Sequence, residues 1–156
     1  MRTGQILVVG CGNLLFGDDG FGPGVIECLK AKYQLPDGVE VIDAGTSAGD
    51  LLLDALLGER GPKQVILIDA IDLGLKPGTV KEIDLEEIPL NKRDDFSVHQ
   101  FPSLDILKKL RDSKSVDVRF LGCQVESIPE EICQGLSDSV AHAVLITAEA
   151  VVSMVS

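Results

Sequence analysis

The sequence predicts an α/β protein: a three-layer α/β/α sandwich around a mostly parallel five-stranded sheet with one antiparallel strand. Three observations carry this. Short runs of consecutive apolar residues, such as Ile6–Val9 and Val65–Ile68, fit strands buried on both faces. Between the runs lie segments with helical apolar spacing, which is the pattern of strand–helix–strand units. The runs stop at Gly10-Cys11-Gly12, Asp43-Ala44-Gly45 and Asp69, residue types that end strands and open loops.

The elements follow in chain order. Ile6–Val9 is the first strand, and a polar, glycine-rich loop runs from it to Gly22. Pro23 suits the first turn of a helix that continues to about Tyr33, with Val25, Ile26 and Leu29 on one face. Pro36-Asp37-Gly38 makes a turn into the second strand, Val39–Ile42. Ala48–Leu57 reads as a helix closed by Gly58 and Gly61-Pro62. Val65–Ile68 is the third strand. Nine residues separate Asp69 from the strand-like Thr79–Ile83. A parallel crossover needs a dozen or more, so this fourth strand runs antiparallel to its neighbour. A long polar loop, Glu86–His99, leads to a helix at Ser103–Arg111, and Val116–Leu121 is the fifth strand. Ser137–Val155 is a long final helix with Ser137 or Asp138 as its cap.

Composition narrows the function. In 156 residues, 14 Lys and Arg face 25 Asp and Glu, a net charge of −11 that repels phosphate and argues against nucleic acid or an anionic membrane as partner. No apolar segment reads as reaching the roughly 18 residues of a membrane span, and the N-terminal apolar stretch is too short for a signal peptide. Cys11, Cys28, Cys123 and Cys133 form no CxxC pair, so a zinc ribbon is not indicated, and a cytoplasmic chain with reduced thiols is expected. No linker or repeat divides residues 1–156, which read as one domain.

In a sheet of this kind ligands bind beyond the carboxyl ends of the strands, where strand order reverses. That directs attention to four places. The first is the loop Gly10–Gly22, with Asp18 and Asp19 between glycines. A dinucleotide fingerprint is a poor fit, because its third small position is occupied by Leu15 and the helix starts late, although Asp43 could imitate a ribose-binding acid. Of Asp18 and Asp19, one is expected to cap the following helix and the other to be available for chemistry. The second place is Asp69, a carboxylate at the end of a central strand, where burial demands a partner. The third is His99, at the end of the polar loop; His142 reads as structural or exposed. Finally, Cys11 and Cys123 follow strands and read best as small buried residues. Two carboxylates and one imidazole would suit a borderline divalent ion such as zinc, nickel, cobalt or manganese, with coordination positions left open.

On these residues the chain resembles the hydrogenase maturation endopeptidases, which process the large subunit of nickel-iron hydrogenases. The likeness covers nearly the whole chain. Its motifs are Val9-Gly10-Cys11-Gly12-Asn13-Leu14 with Gly17-Asp18-Asp19-Gly20, Asp43-Ala44-Gly45, Leu67-Ile68-Asp69-Ala70, His99-Gln100, and Phe120-Leu121-Gly122 with Gln124 and Glu126. The resemblance implies that Asp19, Asp69 and His99 bind nickel, with Asp19 and Asp69 as the catalytic residues. It implies a nickel ion delivered by the substrate, with zinc or cadmium as other possible occupants. The implied reaction is one endoproteolytic cut that removes a short C-terminal extension from a nickel-loaded large-subunit precursor, after which the subunit closes and assembles. An aspartic-protease-like use of Asp19 and Asp69 as a shared-proton pair is the mechanistic rival. A non-catalytic metal- or nucleotide-binding module is the functional one. Some family members have Glu in place of Asp19, and Cys11 replaces an apolar residue. The segment Asp72–Gly78 resembles a branch that includes peptidases of formate-hydrogenlyase and of the deazaflavin-reducing hydrogenases of methanogens, with the reading leaning to the latter.

Overall fold

Residues 5–87 and 104–156 are described by a computed structural model, and within them five strands and four helices occur. The strands are β1 (Ile6–Cys11), β2 (Val39–Gly45), β3 (Gln64–Ile71), β4 (Val80–Glu82) and β5 (Asp117–Gln124). The helices are α1 (Phe21–Lys32), α2 (Ala48–Leu57), α3 (Leu104–Lys114) and α4 (Asp138–Val155). The sheet order is β2-β1-β3-β5-β4. β1 pairs parallel with β2 and β3, and β3 with β5, while β4 pairs antiparallel with β5, as the short connection before it requires.

The alternating side chains of each strand feed two separate cores. Val9, Cys11, Leu67, Ile71 and Phe120 pack toward α2 and α3, with Leu52, Leu107 and Leu110 covering them. Val8, Ile66, Ile68 and Leu121 face α1 and α4, where Val25, Ile26, Leu29, Ala148 and Val151 close the layer. Residues such as Leu29, Leu67 and Ile68 are fully buried, each burial stabilising the chain by about 1.5–3 kcal/mol. This double covering makes β1 and β3 continuous apolar runs rather than alternating ones.

Strand order reverses between β1 and β3, since the chain moves to one side for β2 and to the other for β3. A crevice for a ligand is therefore expected beyond Cys11 and Ile68. Here α1 comes very close to the strands. A Cβ on Gly22 would strike the Cys11 backbone carbonyl and lie 2.7 Å from the Ile68 oxygen, so only glycine lets the helix seat there.

Several boundaries differ from those expected. β1, β2, β3 and β5 run two or three residues past the apolar runs, through Gly10-Cys11, Asp43-Ala44-Gly45, Asp69-Ala70-Ile71 and Gly122-Cys123-Gln124. Ladder hydrogen bonds join backbones and continue whatever the side chain. The loop to Gly22 is shorter than expected, because a 3₁₀ turn occupies Gly17–Gly20 and α1 begins at Phe21. α3 runs on to Lys114. α4 has the length and composition of a membrane span, with mean hydropathy 1.4, contrary to expectation. Its apolarity is partly a core feature: Val140, Ala143, Val144, Thr147, Ala148, Val151 and Val155 are buried in the domain.

Candidate active site

The two adjacent acids separate cleanly in role. Asp18 is 2% exposed and points across the fold to the entrance of α4. Its Oδ2 accepts from the Glu126 N–H at 2.9 Å and its Oδ1 from the Ser137 N–H at 2.7 Å. The Ser137 hydroxyl, 2.9 Å from both oxygens, donates as well. The expectation that one acid caps the following helix is corrected: α1 has no side-chain cap, and Asp18 instead ties the loop after β1 to the entrance of α4. Ser137 stands at the cap position of α4 but gives its hydroxyl to Asp18. Asp18→Ala leaves two backbone N–H groups and a hydroxyl, all part-buried, without their acceptor. A loss of about 3 kcal/mol in unfolding free energy is expected by urea titration.

Asp19 faces the end of β1. Its Oδ2 accepts from the Asn13 N–H at 3.0 Å, and its own N–H donates to the Phe16 carbonyl at 3.1 Å. Gly12 makes this possible. Its φ is +134°, its N–H donates to the Gly45 carbonyl at 2.9 Å, and any Cβ there would collide with the Asp19 carbonyl. The loop is thus wound so that the Asp19 carboxylate lies against Gly12, on the terminus of the first strand.

Asp69 is fully buried, and its Oδ1 accepts from the Ala70 N–H at 2.8 Å. It alternates with Leu67 and Ile71, so it shares their sheet face with Cys11 of the neighbouring strand. The Cys11 thiol reports the local field. Burial raises its pKa well above normal, and the charges of Asp69, Asp43 and Asp19 raise it further. Asp69 and Asp19 thus both lie near enough to Cys11, at the switch between β1 and β3, for their charges to act on its thiol. Among the described residues no group of three or more His, Cys, Asp and Glu is placed to hold a metal ion. His99 lies outside the described residues.

The remaining candidates take supporting places. Asp43 is exposed, and its Oδ1 accepts from the Gly45 N–H at 3.0 Å, a turn-forming bond beside the carbonyl that holds Gly12. His142 is exposed on α4. Cys11 and Cys123 are buried free thiols, as expected of them. Burial first, and the Asp18 charge second, push the Cys123 thiol up to about 12. An unfolded cysteine ionises near pH ~8.5. The neutral thiol's contribution to stability is thus complete below pH ~8.5 and lost as pH rises toward about 12. Urea midpoints should fall between pH 8 and pH 10, and fall less in Cys123→Ala.

A residue without an assigned role in the sequence proves central to the architecture. The buried Gln124 side chain accepts from the N–H groups of Leu73 and Leu75 at 2.8 and 3.2 Å. It donates to Asp72 Oδ1 at 3.0 Å and the Val125 carbonyl at 3.1 Å. One amide thereby shapes the loop that follows the Asp69 strand. An amide side chain at the end of an apolar strand, where burial demands partners for both its oxygen and its NH2, was the signal available.

Comparison with known proteins places the chain in a family. The family model for hydrogenase maturation protease matches residues 23–154. A Methanocaldococcus jannaschii protein that carries the name of a hydrogenase maturation protease is 48% identical over 145 residues, 92% of each chain. The coenzyme F420 hydrogenase subunit delta of Methanothermobacter thermautotrophicus is 36% identical over 144 residues, spanning 90% of this chain and 87% of its own. The solved structure of the hydrogenase maturating endopeptidase HybD from Escherichia coli matches with a TM-score of 0.77 at 33% identity, covering 99% of this chain and 91% of that one. The HybD protease of Thermococcus kodakarensis matches over 100% of both chains, with a TM-score of 0.74 and 29% identity. The chain belongs to the hydrogenase maturation protease family and is an endopeptidase, a hydrolase of peptide bonds.

Proposed function

We propose that this endopeptidase removes the C-terminal extension of a nickel-iron hydrogenase large subunit once that precursor carries nickel, and that Asp19, Asp69 and His99 are the residues that engage it. The observation that carries the reading is the pair of buried carboxylates, Asp19 and Asp69, brought to the switch point of a chain belonging to this family. The nickel belongs to the substrate. Two carboxylates and an imidazole are a partial donor set for a borderline divalent ion, and the precursor's cysteine thiolates would complete it. When bound, the ion orients the precursor and polarises the scissile region. Asp69 holds a water and accepts its proton as the oxygen attacks the scissile carbonyl, and the proton then passes to the departing amine. Asp19, aligned by the Asn13 N–H, fixes the approach from the other side.

The cognate subunit proposed is that of a deazaflavin-reducing hydrogenase. Support comes from the similarity to the F420 hydrogenase delta subunit and from the Asp72–Gly78 loop. The test is incubation with the large-subunit precursor from the same genome, with nickel and without, followed by intact mass of the product. The nickel-loaded precursor should lose its C-terminal extension at one bond, and the nickel-free precursor should remain whole. Equal cutting of both would remove nickel from the recognition step. No cutting of either overturns the processing reading.

A further inference from the structure

Two segments at the carboxyl end of the sheet are fastened to each other in a way that catalysis does not require. Phe16 forms a parallel bridge with Cys133. The Gly17 N–H donates to the Cys133 carbonyl, and the Cys133 N–H to the Leu15 carbonyl, both at 2.8 Å. The bridge places Ile132 in register beside Leu15. Their side chains are left in water: Leu14 is 50% exposed, Leu15 38% and Ile132 69%. Single exposed leucines are ordinary, but Leu15 and Ile132, set side by side by the bridge, form a small apolar patch on a hydrogen-bonded frame. The frame is rigid, since the Leu15 N–H is also held by Asn13 Oδ1 at 2.9 Å and Asp18 anchors the same turn to Ser137.

Charge surrounds this patch on one side. Glu126, Glu130 and Glu131 are exposed on the loop that ends at Ile132. Neither that loop nor the Gly12–Gly20 segment contains a Lys or Arg. The patch also belongs to the candidate site's own loop, since Leu15 lies four residues before Asp19.

We propose that Leu15 and Ile132 are the docking surface for the body of the large-subunit precursor, and that they meet an apolar face of it bordered by basic residues. The proposal rests on the processing function above. A protease that cuts one bond in a large folded protein must hold that protein beside the cut, and apolar anchors flanked by complementary charge supply both hold and orientation. Glu126, Glu130 and Glu131 add attraction that salt screens.

The experiment measures processing rates of the nickel-loaded precursor by the chain and by Leu15→Ser and Ile132→Ser, with Leu57→Ser on α2 as an exposed control. Each rim variant should raise KM about tenfold or more, with the loss falling on KM rather than kcat, and Leu57→Ser should match the parent. For the parent, KM should rise between 50 and 500 mM salt, and less so in the Glu126→Gln, Glu130→Gln, Glu131→Gln triple variant. Saturating precursor should also slow alkylation of Cys133, the exposed thiol next to Ile132. If the parent cuts normally while both rim variants keep its KM, or Cys133 alkylates equally fast with and without precursor, the docking surface is overturned. A parent chain that does not cut the loaded precursor overturns the processing reading instead.

Discussion

Asp69→Asn is expected to slow cleavage of the nickel-loaded precursor by about 10²–10⁴-fold, the range for loss of a positioned acid–base group, while the chain keeps its fold. The amide has nearly the size of the carboxylate and retains an oxygen for the Ala70 N–H, so the 0% exposed site stays filled. What disappears is the charge and the capacity to take a proton from water. Intact mass of the large subunit over time gives the rate, and thermal unfolding by circular dichroism gives the control. A variant that cuts at the parent rate would remove Asp69 from the reaction. One that unfolds would show that its buried charge serves the fold first.

Gly12→Ala should be the most damaging single methyl in the site. The residue sits at φ +134°, and the added carbon would fall on the Asp19 carbonyl, which is backbone and has no rotamer by which to escape. Strain and collision together are expected to cost roughly 3–5 kcal/mol in unfolding free energy. Any folded fraction should process poorly, because relief of the clash moves Asp19, whose carboxylate oxygen Oδ1 lies 3.4 Å from the same carbon. Urea titration and the processing assay read the two effects separately. Parent-like stability would mean that the loop has a second backbone path that keeps Asp19 in place.

Much of the fold was legible in the residues themselves. Apolar runs buried on both faces announced the parallel strands, and the nine-residue connection after Asp69 announced the antiparallel one. The strand ends were less legible. Cys11, Gly45, Asp69 and Gln124 belong to the ladder although their side chains say loop, because strand pairing is a backbone property. The two acids after Gly17 were recognisable as a pair with divided roles. Which did what depended on Glu126 and Ser137, 108 and 119 residues further along. The long apolar final helix shows the same limit: hydropathy alone is equally satisfied by a lipid chain and by the β-sheet that covers its inner face.

The sequence by itself determined the class of fold and the order of its strands and helices, and by resemblance it pointed to the family and nominated Asp19, Asp69 and His99. The fold follows from local patterns, since periodicity and turn residues act over a few residues at a time. Only the tertiary structure decided that Asp18 braces the entrance of α4, that Gly12 seats Asp19 against β1, and that Leu15 and Ile132 stand side by side in water. Each of these depends on partners brought together by chain folding. The identity of a side chain states what it can bond to, and the fold alone states what is within reach.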